Sequence, residues 1–135
     1  MAIQLSVSVR NAILDAIEST IGTAAVLKIR TGPAPANCGT ADSGTVLATL
    51  SLPSDWMSAA SSGSKALSGS WEDLLGDATG TAEHYRLYAS DGTTCGLQGA
   101  VTGAGGGGDM ELVNTSIAVN QPVEITSFTL TAANS

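Results

Sequence analysis

The chain has 135 residues, the size of one domain (1–135) with one core, and carries five Lys+Arg against twelve Asp+Glu for a formal net charge of −7. That acidity opposes the counterion release that drives DNA and RNA binding, and no apolar run approaches the roughly 18 residues of a membrane-spanning helix, so neither nucleic acid nor membrane is an expected partner. One histidine (His84) and two distant cysteines (Cys38, Cys95) are a short reactive inventory, so no catalytic residue, cofactor or metal is expected. Aromatics make up only 4% of the chain, which leaves Trp56, Trp71, Tyr85, Tyr88 and Phe128 as the large anchors among Val, Leu, Ile and Ala.

The first residues, Met-Ala-Ile-Gln-Leu-Ser, lack the basic and apolar regions of a secretory signal, which predicts synthesis in a cytoplasm. From Ser6 to Ile21, Val9, Ile13, Ala16, Ile17 and Ile21 recur at helical spacing, with Arg10, Asp15 and Glu18 opposite. This predicts an amphipathic helix over 6–21, with Ser6 or Ser8 as N-cap and Gly22 as C-cap. Its apolar stripe must dock on the domain's own sheet or on a neighbour.

After Gly22 the pattern turns β-like, and a β-sandwich is predicted over 25–131. Ala25 to Thr31 reads as a strand, and Thr31-Gly-Pro-Ala-Pro-Ala-Asn-Cys-Gly as a surface loop, because its prolines remove backbone donors. Thr45 to Leu52 alternates as a half-buried strand ending at Pro53. Ser58 to Ser70 suits a loop or weak edge strand, and Trp71 to Leu75 a helical turn or a strand start. Glu83 to Ala89 and Thr94 to Thr102 flank Asp91-Gly92, a strong hairpin signal, with Tyr85 and Leu87 on one face and His84, Arg86 and Tyr88 on the other. Gly103 to Gly108 reads as a flexible hairpin loop. In Pro122 to Thr131 both alternating faces are partly apolar, which implies a strand covered on both sides or at an oligomer contact. One helix and about six to eight strands suit a mainly β protein, an antiparallel sandwich or jelly roll.

The motifs carry little chemistry. Gly103, Gly105 and Gly108 satisfy G-x-G-x-x-G, but a strand-like stretch follows where a dinucleotide site needs a helix. Cys38 and Cys95 match no zinc or thioredoxin spacing and are expected to be unpaired thiols. The carboxylates Glu72, Asp73 and Asp77 suit a solvated acidic loop; only convergence with Trp56 and Trp71 in one cleft would make a small hydrolase or carbohydrate-binding domain.

Four stretches carry a resemblance: Leu5-Ser-Val-Ser-Val-Arg-Asn-Ala-Ile-Leu-Asp-Ala-Ile-Glu, Ala25-Val-Leu-Lys-Ile-Arg-Thr-Gly, Leu52-Pro-Ser-Asp-Trp and His84-Tyr-Arg-Leu-Tyr-Ala-Ser-Asp-Gly-Thr. They resemble small virion structural proteins of tailed bacteriophages, over most of the chain to the final Ile125-Thr-Ser-Phe-Thr-Leu-Thr strand. The resemblance implies a non-enzymatic, homo-oligomeric virion component and brings no active-site residues. A capsid cement or decoration protein bound to the major capsid protein is the first placement, and a tail or tail-fibre ring or trimer the second. The expected assembly contacts are Val9, Ile13 and Ile17 on the helix together with Trp56, Trp71 and Phe128, with the proline loop Gly32 to Gly39 and the glycine loop as adaptable clasps.

Overall fold

The computed structural model describes residues 3–132. Within them helix α1 (Val7–Ile21) precedes ten strands: β1 (Val26–Arg30), β2 (Val46–Ser51), β3 (Ser64–Ala66), β4 (Glu72–Asp73), β5 (Gly80–Thr81), β6 (His84–Tyr88), β7 (Cys95–Gly103), β8 (Met110–Leu112), β9 (Ser116–Ile117) and β10 (Val123–Thr131). The helix starts and stops where its capping residues require. The Ser6 hydroxyl accepts the Val9 N–H at 3.2 Å, and Gly22, at a φ of 92° that disfavours a side chain, donates its N–H to Glu18 O.

The mainly β class with a single N-terminal helix stands. The main sheet runs β2-β1-β6-β7-β8-β10-β3, with β4 also on β10, and a separate pair joins β5 to β9. It curls into a half-barrel, because β4 and the segment after it return to the outer edge of β2: Thr49 N–H donates to Asp73 Oδ2 at 3.0 Å and Asp77 N–H to Leu47 O at 2.8 Å. An edge that would otherwise expose unpaired backbone groups is covered.

The interior holds a chain of aromatic rings. Trp56 lies 5.9 Å from Trp71, which lies 5.5 Å from Phe128, itself edge-on to Tyr85 at 5.5 Å. Both indole N–H groups are satisfied, Trp56 on Gly22 O and Trp71 on the carbonyls of Trp56 and Ser68, so burial leaves neither donor unpaired.

Three expectations are corrected here. The strand at Pro122 to Thr131 is neither two-sided nor in need of an oligomer contact: its register against β8 shifts between Ile125 and Ser127. That bulge rephases the alternation, so Val123, Ile125 and Phe128 all point inward while Glu124, Thr126 and Ser127 face solvent. The glycine loop does not close a hairpin either, because β7 and β8 pair in parallel, Val101 beside Met110. Such a pairing ordinarily needs a crossover of a dozen or more residues. Here residues 104–109 double back along β7 itself: Gly106 N–H reaches Gly103 O, Gly108 N–H reaches Thr102 Oγ1 and Asp109 Oδ2 accepts the Ala100 N–H. A Cβ on Gly106 or Gly108 would fall within 3 Å of the Thr102 side chain, which is why the return path is built from glycine.

Finally, the proline loop is no adaptable clasp. It lies across the outer face of β6, where Arg86, buried, donates to Asp42 Oδ1, to the carbonyls of Asn37 and Thr40 and to Gln98 Oε1. Arg30 and the Tyr88 hydroxyl also bind Asp42. Burial would raise the pKa of Asp42, but the hydrogen bonds from Tyr88 and Arg86 and the two guanidinium charges outweigh it and hold the carboxyl below its ordinary range. Thus β6, whose five residues are all buried, has the core on one face and a pinned loop on the other.

The β6–β7 hairpin turns at Asp91-Gly92 as expected. Asp91 accepts the N–H groups of Thr93 and Thr94 and the Thr94 hydroxyl, which hold its carboxyl down at about 2. A depressed carboxylate stabilises the folded state above its unfolded pKa, and that contribution disappears as pH falls towards the folded value. The urea midpoint is therefore expected to drop between pH 4 and pH 2, and Asp91→Asn should flatten that part of the profile. An unchanged acid limb in the variant would remove Asp91 from this role.

Candidate interaction surface

Helix α1 seats itself by an unexpected face. Leu14 and Ile21 are buried and Ile17 packs half-buried against the core, but the polar side also docks. Lys65 on β3, 2% exposed, meets Asp15 at 2.7 Å and Glu18 at 3.4 Å. The carboxylates of Asp15 and Glu18 and the amide of Asn11 accept the N–H groups of Ala60, Met57 and Gly63, and Arg10 Nε donates to Ala132 O. The reason is local: the segment before β3 leaves backbone donors without partners of their own and gives the buried Lys65 ammonium one carbonyl, Ser58 O, and helix side chains supply the remaining acceptors. Lys65 holds the Asp15 carboxyl below its ordinary range through its hydrogen bond. Gly96 completes the seat, since a Cβ there would lie 2.5 Å from the Ile21 side chain.

The remaining helix face is open. Val9 and Ile13, one turn apart on it, are each 46% exposed. Ile13, Ala16, Ile17, Thr20 and Ile21 line a shallow groove against Gly96 of β7. Of the expected contacts, Val9 and Ile13 are at the surface, and Ile17 bridges surface and core. Trp56, Trp71 and Phe128 are corrected: at 0%, 1% and 1% exposure they are core and reach no partner.

Sequence reading missed a second apolar patch. Leu74, Leu75, Val113 and Val119 are all more than half exposed. Asp73 pairs with Val123 and Leu112 with Ile125, at the start of β10, whereas Arg10 holds Ala132 beyond its end. The two patches therefore sit at opposite ends of the half-barrel, separated by the length of β10, roughly 25–30 Å at the usual rise per residue. The doublet Leu74-Leu75 was the available signal, since an extended chain turns only one of two neighbours inward.

All five cations are engaged internally: Arg10 with Ala132 O, Lys28 with Gly92 O and the Tyr88 ring, Arg30 and Arg86 with Asp42, and Lys65 with Asp15 and Glu18. The excess charge of −7 is thus carried on the outside, by carboxylates.

The other singled-out groups have structural roles. His84 is buried, its Nδ1 2.6 Å from Gly32 O. Asp73 and Asp77 bind β2 through Thr49, and the tryptophans lie beneath the surface, so no cleft joins them. Among the described residues no group of three or more His, Cys, Asp or Glu is placed to hold a metal ion, and no helix is long and apolar enough to cross a membrane. No protein-family model matches the chain, and no curated protein or solved structure matches it either.

Proposed function

We propose that the protein is a non-enzymatic structural subunit of a tailed-bacteriophage virion, a capsid cement or decoration protein that binds the major capsid protein through the open face of α1. The observation that carries the interaction role is a half-exposed apolar stripe, Val9 and Ile13 continued by Ile17, on a helix that buried polar contacts already fix to its domain. A fixed stripe loses little conformational entropy on docking. The acidic exterior, with every cation used internally, suits a basic partner surface and disfavours nucleic acid. The virion placement is supported by the resemblance of the four stretches quoted above.

A second reading, a tail ring, is favoured by one observation: apolar patches at opposite ends of the half-barrel suit head-to-tail contacts between copies.

Quantitative mass spectrometry of purified particles tests the placement. Copies near-stoichiometric with the major capsid protein support cement, a few dozen or fewer support the tail, and absence from particles overturns both. The contact face is tested by Val9→Asp with Ile13→Asp. The double variant should lose about 1 kcal/mol of stability or less, because both sites are half-exposed, yet fail to bind particles. Normal binding by a folded double variant would move the contact elsewhere.

A further inference from the structure

The loop over the outer face of β6 and β7 is pinned on both sides of Cys38. Gln98 Nε2 donates to Pro35 O at 2.6 Å, Arg86 Nη2 to Asn37 O at 2.8 Å and to Thr40 O at 2.9 Å, and the Tyr88 hydroxyl to Asp42 Oδ1 at 2.7 Å. Cys95 opens β7 directly opposite Tyr88, and cross-strand partners project from the same face of a sheet. Its side chain therefore leaves the sheet on the side that the loop covers, where its thiol donates to Leu97 O at 3.6 Å and Cys38 is near enough to act on it electrostatically. Both cysteines are partly accessible and unlinked, and they are the two thiols of the chain.

We infer that Cys38 and Cys95 form a disulfide site, which a small-molecule disulfide of the glutathione class oxidises to a bridge that locks the proline loop onto the β6–β7 hairpin. The Cys38 thiolate attacks one sulfur of the external disulfide, forming a mixed disulfide and releasing one thiolate. Cys95, its proton lost to solvent, then attacks the Cys38 sulfur and expels the second thiolate. Two protein thiols are oxidised to one disulfide, and one external disulfide is reduced to two thiols.

The surroundings set when this happens. Burial and the neighbouring Cys38 push the Cys95 thiol up to about 12, against the pull of the Arg86 guanidinium. Its thiolate is scarce at neutral pH, so closure of the bridge is slow there and quickens as the pH rises. This inference does not depend on the assembly reading.

The test incubates the folded protein with glutathione disulfide under native conditions and follows intact mass and unreduced peptide maps. The expected product has lost the mass of two hydrogens, yields a Cys38–Cys95 linked peptide, and melts roughly 10 °C higher, reversibly with reductant. Cys38→Ser and Cys95→Ser should each stop at a free thiol or a single glutathione adduct, with no rise in Tm. Two separate adducts on one chain, disulfide-linked dimers, or two thiols still free after prolonged incubation would each overturn the inference.

Discussion

Trp71→Ala should lower the unfolding free energy by about 4 kcal/mol, a large fraction of the stability of a typical domain. The ring touches Trp56 on one side and Phe128 on the other, so its removal opens a cavity at the centre of the aromatic chain. It also removes the indole donor from the Ser68 carbonyl and leaves the Trp56 carbonyl with the Ser68 N–H alone. Trp71→Phe separates the two effects: it keeps a ring in place and loses the N–H, which should cost about 1–2 kcal/mol. Urea unfolding followed through Trp56 fluorescence reads both, with the midpoint moving and the slope unchanged. A cost below about 2 kcal/mol for Trp71→Ala would contradict the central place given to this side chain.

Arg86→Met should cost about 3 kcal/mol and free the proline loop. The side chain is 2% exposed and donates to four separate groups, so methionine leaves the Thr40 carbonyl and the Gln98 amide oxygen without a donor, the Asn37 carbonyl with the Thr40 N–H alone and Asp42 with Arg30 and Tyr88 alone. The figure sits at the low end for a broken buried pair because the Asp42 side chain remains 40% accessible and water can reach it. Arg86→Lys should rescue little, since one ammonium cannot replace a planar fork bound to four acceptors. Cleavage within residues 32–44 by a protease, under conditions where the parent chain resists, is the direct readout. Equal resistance of Arg86→Met and parent would show the loop to be held by other contacts.

What the sequence revealed of this fold was whatever depends on near neighbours. Ser6 and Gly22 bound the helix, and Asp91-Gly92 placed the hairpin, because caps and tight turns are set within a few residues. What it hid depends on distant partners. The docked face of α1 was obscured because Lys65 and the backbone around Met57 to Gly63 decide it, and helical periodicity carries no record of an acceptor shortage elsewhere. The bulge at Thr126 shifted a period-two pattern by one and made a one-sided strand look two-sided. The loop's attachment had left a trace: Arg86 lies between Tyr85 and Leu87 in a strand otherwise built for burial, and a cation there requires a carboxylate, which Asp42 supplies from an otherwise neutral stretch. Of the contact residues, Val9 and Ile13 could be read from spacing, whereas nothing local distinguishes a core tryptophan from one at an interface.

Strand β10 pairs with β3, β4 and β8, which come from three separate parts of the chain, and Ala132 just beyond it receives Arg10 from the helix. During synthesis from the N-terminus, everything before residue 123 emerges with the inner face of the half-barrel unclosed, and Met110 and Leu112 without the strand that covers them. The strands β2-β1-β6-β7-β8 can pair before β10 is made, but β3 and β4 have no strand partner until it arrives, and the nascent chain exposes apolar surface until then. Closure of the half-barrel is consequently expected to wait until β10 has left the ribosome, which makes the protein's yield in a cell sensitive to chaperone supply.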